Sequence, residues 1–169
     1  MAEESKKVGF MDLRLMPSYA DEFGYLYQHD HNILLYYDVV RPITKVDCDA
    51  ILNSQHGKYF YLHEEGNLKT CIGIAGFIEW RENRGGAELF LSMKQGYQQL
   101  FEKAIKVLVQ WYFNNFTRPV LYMQRISGDP NNKILEKLNP ERRSGKLLYF
   151  AQKFHETELY IFYKKDSED

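Results

Sequence analysis

The sequence predicts an α+β fold on one mixed sheet, and three observations predict it. Residues 58–93 read as three strands separated by the turn clusters "EGN" (65–67) and "RENRGG" (81–86), the spacing of a meander. Residues 97–116 follow with Leu100, Phe101, Ala104, Ile105, Leu108, Val109, Trp111, Tyr112 and Phe113 apolar, and spacings of three and four mark an amphipathic helix packed on a sheet. Residues 118–126 then read as a strand, and a strand–helix–strand unit of this kind returns parallel to its first strand.

The other elements follow in order. Residues 1–8 are polar and expected to fray, and the 169 residues as a whole suit a single domain without a linker or repeat. "FMDLRLM" (10–16) alternates apolar and polar as a strand does; Pro17-Ser18 stops it, and Ser18 is placed to cap a helix over 19–29. "NILLYYDVV" (32–40) fits helix and strand alike, and Arg41-Pro42 breaks it. Thr44 is placed to cap a helix over 45–54, with Asp47 as its partner in a capping box. Strands at 58–64, 69–80 and 87–93 come next, and Gly73 and Gly76 inside the second mark a close backbone approach. After the strand at 118–126, "GDP" (128–130) turns the chain into a short helix over 131–138 that Asn139-Pro140 ends. Residues 145–154 and 158–165 read as a closing antiparallel hairpin.

Composition narrows the function. Lys plus Arg is 22 and Asp plus Glu 23, so bulk electrostatic attraction to nucleic acid is disfavoured, although a local basic patch remains open; Arg142, Arg143 and Lys146 form a small basic cluster that reads as a solvated turn rather than a phosphate site. No apolar run is long enough to span a bilayer, and "MAEESKKVGF" lacks the apolar stretch of a signal peptide, so a cytoplasmic protein is expected. Asn115-Phe116-Thr117 fits a glycosylation sequon, but nothing else reads as secreted. Cys48 and Cys71 read as free thiols of a reducing compartment. His29-Asp30-His31 is a poor metal site, because neighbours there point different ways and no third cluster accompanies them, so no metal is expected. Tyr59, Phe60 and Tyr61 read as sheet and core.

One stretch asks for more than packing. In "SMKQGYQQLFEKAIKVLVQWYF" (92–113) a lone Gly96 separates a strand from a long helix. A helix start carries unbonded N–H groups and the positive end of the macrodipole, which together hold an anion. A plain turn satisfies the same residues.

The element order, with particular stretches, resembles the GNAT acetyltransferases, above all the branch that acetylates N-terminal amines of ribosomal proteins. "LRLMPSYADEFGYLYQ" is similar to that branch's opening strand and helix, and "CIGIAGFIEW" to its glycine-bearing strand. "GYQQLFEKAIKVLVQWYF" is similar to its central helix, and the stretch from "LEKLNPERRSGK" to "ELYIFYKK" follows its ending, so the likeness runs from about Leu13 to Lys165. The resemblance implies a mainly antiparallel sheet with helices on both faces, and acetyl-CoA as co-substrate. It implies that strands 87–93 and 119–125 part to admit the thioester, with Phe90, Leu91, Ser92 and Met93 pairing with the pantetheine arm. Lys94, Gln95, Gly96, Tyr97, Gln98 and Gln99 then wrap the pyrophosphate, and Asn132 lies beside the cofactor.

Two positions depart from the family loop: Met93 stands where it has Gln or Arg, and Gln98 where it has Gly or Ala. Lys94 is the expected substitute charge, with Gln95 and Gln99 as further donors. Glu88 and Glu79 are candidate bases beside the implied cleft, although a solvent-facing strand position explains either. The family's tyrosine acid is missing from "NNKILEKL", and Asn131 is a candidate in its place, with helix capping as the alternative. The implied function is direct acetyl transfer to an amine of a protein N-terminus, a lysine or a small molecule, by a monomer or homodimer without a membrane or nucleic-acid partner. A catalytically silent scaffold that binds or inhibits a protein is the alternative, and a tRNA-directed enzyme is disfavoured by charge.

Overall fold

The computed structural model describes residues 6–36, 44–53, 57–78 and 86–166. In chain order they form β1 (Val8–Asp12), α1 (Tyr19–His29), α2 (Lys45–Leu52), β2 (Gly57–Glu64), β3 (Gly73–Ile78), β4 (Gly86–Met93), α3 (Phe101–Asn115), β5 (Val120–Ile126), α4 (Asn132–Glu136), β6 (Glu141–Ser144), β7 (Leu148–Phe150), β8 (Lys153–His155) and β9 (Thr157–Tyr163). Short 3-10 turns stand at Leu13–Leu15, His31–Leu35 and Gln98–Leu100.

Seven strands make one sheet in the order β1-β2-β3-β4-β5-β9-β6. Among the described residues β4 and β5 form its only parallel pair, and the other neighbours run antiparallel. Alternation along the strands splits the core in two. Leu89, Leu91, Leu121 and Met123 turn to α3 and pack against Phe101, Ala104, Ile105 and Leu108. Tyr59, Tyr61, Ile74 and Phe90 turn to the opposite face, where Phe23 and Leu26 of α1 and Cys48 and Leu52 of α2 cover them. Leu108 is wholly buried, and burying one such side chain contributes about 1.5–3 kcal/mol. Helices therefore lie on both faces of a mainly antiparallel sheet, as expected.

Local chemistry explains the boundaries. The Thr44 hydroxyl accepts from the Asp47 amide and the Asp47 carboxylate accepts from the Thr44 amide, so the expected capping box opens α2. Ser18 occupies the cap position of α1, yet its side chain makes no capping bond; Asp21 and Glu22 in the first turn face the helix dipole instead. Val8 is buried and starts β1, so fraying does not extend to residue 8. β1 stops at Asp12 rather than at residue 16, because the Asp12 carboxylate accepts from the Arg14 amide at 2.9 Å and starts a 3-10 turn. The ambiguous apolar run is a 3-10 turn over His31–Leu35, and residues 37–43, with Arg41-Pro42, lie outside the described residues. The strand expected over 69–80 begins only at Gly73, where a Cβ would stand 2.5 Å from the Ser92 carbonyl oxygen. Glu79 and residues 81–85 lie outside the described residues.

The closing hairpin needs correction. β9 pairs with β6, from Glu141 opposite Ile161 to Ser144 opposite Glu158. Residues 145–154 do not form one strand, because Ala151 and Gln152 both adopt positive φ, at 50° and 63°, and fold β7 back onto β8 as a separate ribbon. Primed turns of this kind usually announce themselves with Asn-Gly, and "AQ" carries no such signal. Arg142 and Arg143 consequently lie on an edge strand, paired with Glu136, Glu158 and Glu141, rather than in a solvated turn.

Candidate functional site

β4 and β5 pair over only three positions, ending at Glu88 opposite Tyr122. β4 continues to Met93 and β5 to Ile126 without a mutual ladder. The Lys94 amide bonds the Ile72 carbonyl at 2.8 Å, so the even positions of β4 face β3. Leu89, Leu91 and Met93 therefore turn their backbone groups toward the gap.

Buried backbone groups that lose a strand partner must find another. Side chains supply one for each of these carbonyls: Tyr36 Oη donates to Leu89 at 2.9 Å, Arg125 Nη1 to Leu91 at 3.5 Å, and Gln98 Nε2 to Met93 at 3.1 Å. Across the gap, the Gln124 amide donates to Tyr36 Oη at 3.0 Å and the Ile126 amide to Asn32 Oδ1 at 2.7 Å. Burial, and next the nearby Glu88 charge, push the Tyr36 phenol far above the ordinary tyrosine range, so it stays a neutral hydroxyl that donates and accepts at once.

The same residues join into one network. Ser92 Oγ donates to Asp30 at 2.7 Å, Asp30 accepts from the Asn32 amide and side chain, and Asn32 Nδ2 donates to Asp129 at 3.0 Å. Asp129 pairs with Arg125 Nη2 at 3.1 Å. Arg125 is 2% exposed, lies over the Phe101 ring and donates from Nε to Asn132 Oδ1 at 3.3 Å. Asn132 is itself buried and bonds the Ile126 carbonyl and Glu158.

The gap leads to the glycine turn. Gly96 has φ +88°, a left-handed conformation that favours glycine although nothing lies within 4 Å of a Cβ built there. The Tyr97 amide bonds the Lys94 carbonyl and the Leu100 amide the Tyr97 carbonyl, which carries the chain through a 3-10 turn into α3. The amides of Gln95, Gly96, Gln98 and Gln99 find no acceptor among the described residues. Lys94 does not serve this turn: its ammonium pairs with Glu22 at 2.7 Å and lies over the Tyr25 ring. Burial pulls its pKa down, but the hydrogen bond and charge of Glu22 outweigh that and hold it above the usual lysine value. Gln95 accepts a long bond from Tyr25, and Gln99 is exposed. The Gln98 side chain spans the mouth of the gap, bonding Met93 on one side and accepting from Asn131 Nδ2 at 3.1 Å on the other.

Glu88 is half-buried on the α1–α2 face at the last paired position, and its carboxylate accepts from Gln124 Nε2 at 2.9 Å. Phe90 meets the Tyr36 ring edge-on at 5.6 Å between centroids. His29 packs on Tyr25, Asp30 joins the gap network and His31 meets Phe150, so the three neighbours do face apart. Among the described residues no group of three His, Cys, Asp or Glu side chains is placed to hold a metal ion. No helix among them is long and apolar enough to cross a membrane. Two pockets, of about 360 and 370 Å³, open beside Lys58 and Trp111 and beside Asp129 and Glu136, and neither is lined by a residue of β4 or β5.

Reading the sequence missed Tyr36, Asn32, Gln124 and Arg125. Arg125 had a signal: alternation puts it on the core face with Leu121 and Met123, where a charge is out of place unless paired.

No protein-family model and no curated protein matches the sequence. Solved structures do match. The spermidine N-acetyltransferase of Vibrio cholerae, in complex with CoA and spermine, aligns with TM-score 0.70 at 11% identity over 93% of this chain and 95% of its own. YncA of Salmonella typhimurium, solved with its cofactor acetyl-CoA, aligns with TM-score 0.70 at 13% identity over 98% of both chains. The fold is that of the GNAT acetyltransferases. A Vibrio cholerae protein assigned as a ribosomal-protein-serine acetyltransferase matches too, with TM-score 0.65 at 12% identity over 97% of this chain and all of its own. The GNAT likeness therefore does not single out the ribosomal-protein branch over the polyamine enzymes.

Proposed function

We propose that this chain is an acetyl-CoA-dependent N-acetyltransferase that passes an acetyl group directly to an amine. The parting of β4 from β5 after Glu88 and Tyr122, with a glycine turn and a helix start at the open end, is the observation that carries the reading. Acetyl-CoA, when bound, supplies the acyl group as an activated thioester. The turn suits its pyrophosphate, because the amides of Gln95, Gly96, Gln98 and Gln99 find no acceptor among the described residues and the turn leads into the positive end of α3. The gap suits its pantetheine arm less well, because Tyr36, Arg125 and Gln98 already hold the carbonyls of Leu89, Leu91 and Met93.

Glu88 is the proposed proton acceptor for the amine, with Gln124 fixing its carboxylate. Asn131 becomes a residue of the cofactor mouth rather than of the reacting centre, through its bond to Gln98. Asn132 acts indirectly, by holding Arg125. Neighbours named for spermidine and for ribosomal-protein serine support an amine acceptor and leave protein N-terminus, lysine and polyamine open.

A second reading, a GNAT-fold protein that binds a partner without catalysis, is not favoured by these neighbours, and the filled gap is the reason to test it. Thermal shifts with acetyl-CoA, CoA and ATP separate the two. A ligand at a hundred times its dissociation constant stabilises the native state by about 2.7 kcal/mol. A shift with both CoA forms and none with ATP supports the enzyme, whereas no shift at millimolar CoA moves the conclusion to the binding module.

A further inference from the structure

We propose that residues 30–36 are an internal strap that closes the cofactor gap in the ligand-free chain and competes with CoA for it. The proposal rests on the acetyl-CoA reading and adds a regulated entry to it. Three side chains of this one segment reach the two strands. Tyr36 bonds the Leu89 carbonyl of β4 and the Gln124 amide of β5, at 2.9 and 3.0 Å. Asn32 takes the Ile126 amide of β5 at 2.7 Å, and Asp30 takes Ser92 Oγ of β4, also at 2.7 Å. The segment thus meets hydrogen-bonding groups on both walls of the gap, as an inserted ligand would.

Its contacts are mixed in a way that suits displacement. The strap is anchored by polar bonds, and an incoming chain of amides and carbonyls can replace such bonds one for one. Its apolar anchors, Ile33 and the Tyr36 ring, belong to the α1–α2 core rather than to the α3 core. Withdrawal toward that face would leave the packing of α3 on the sheet intact. If the strap is closed in roughly nine molecules of ten, apparent CoA affinity falls about tenfold.

Tyr36→Phe is the discriminating variant. It keeps the ring against Phe90 and removes only the hydroxyl that joins the strands, so the closed form loses two hydrogen bonds. CoA affinity by calorimetry and amide exchange by NMR are read on wild type and variant. We expect the Gln124 amide to be protected in the free wild type and exposed in Tyr36→Phe, and CoA to bind the variant about tenfold more tightly. Equal CoA affinity of the two proteins overturns the strap and leaves the acetyl-CoA reading standing. If neither binds CoA, that reading falls, and exchange alone judges the closure. The competition with CoA then falls too, and a Gln124 amide that exchanges freely in the wild type overturns the closure as well.

Discussion

The Arg125 guanidinium lies 3.1 Å from the Asp129 carboxylate, with 2% of the arginine side chain and 23% of the aspartate side chain exposed. The pair is unequal, because water can rehydrate Asp129 but cannot reach Arg125. Removing one partner of a buried pair costs about 3–5 kcal/mol when it strands the other charge in the interior. Asp129→Ala strands the arginine and is expected to show that loss in urea unfolding. Arg125→Met keeps much of the stem packing beside Phe101 and leaves an aspartate that water can solvate, so its loss is expected to be clearly smaller. Equal midpoints for the two variants would refute this account of the pair.

Gly96 separates backbone strain from anion binding. Gly96→Ala forces a Cβ into φ +88° and is expected to cost about 1–2 kcal/mol in urea, with CoA affinity little changed because nothing crowds that Cβ. Gly96→Glu adds a negative charge beside the amides assigned to pyrophosphate and is expected to abolish CoA binding. A glutamate variant that titrates CoA like wild type would move the phosphate site elsewhere.

The path from sequence to fold was clearest where the signal was local. Thr44 with Asp47, the periodic apolar face of α3, and the glycine turn at Gly96 each involve residues within a few positions of one another, and each was readable. The small ribbon of β7 and β8 was missed because Ala151 and Gln152 adopt positive φ without the usual turn residues. The filling of the gap was missed for a different reason. Tyr36 and Gln124 are 88 positions apart, and no periodicity links them. Only Arg125, a charge at a core position, gave warning, and its partners Asp129 and Asn132 sit four and seven residues downstream. Local rules thus give the walls of the site and leave its contents to tertiary structure.

Glu88 tests the chemistry directly. If it takes the amine proton, Glu88→Gln is expected to lower kcat/KM by about two to four decades. Its effect on CoA affinity should be small, because the carboxylate faces Gln124 on the α1–α2 side and not the glycine turn. Steady-state kinetics with an accepted amine, beside a CoA titration, would show the split. A loss confined to CoA binding would remove Glu88 from the reacting centre.

Two helix caps make a matched pair. Thr44→Ala deletes the bond to the Asp47 amide and is expected to cost about 1 kcal/mol. Ser18→Ala removes a hydroxyl that caps nothing at the start of α1 and should stay within about 0.5 kcal/mol of wild type. Thermal unfolding of both decides it, and a larger loss for Ser18→Ala would reverse the assignment.

Cys48 and Cys71 should make stability fall at alkaline pH. Burial first, then nearby carboxylates (Asp47 and Asp49 for Cys48, Glu22 for Cys71), pushes each thiol from 9.0 up to about 11. Folding favours the neutral thiols, so their contribution is whole below pH 9, where the unfolded chain also keeps them protonated. Above that the unfolded chain ionises first and gains relative to the native state, and the contribution is lost as pH rises through about 11. Urea midpoints are therefore expected to decline from about pH 9 upward, and between about pH 9 and 10 to decline less in a Cys48→Ser/Cys71→Ala variant, the raised phenols of Tyr36 and Tyr160 supplying the loss that remains at higher pH. The same burial predicts that a thiol reagent at about pH 8 labels neither cysteine in the native chain and both after unfolding. Rapid labelling of the native chain would show that these thiols are reached by water and would remove the basis for the alkaline loss.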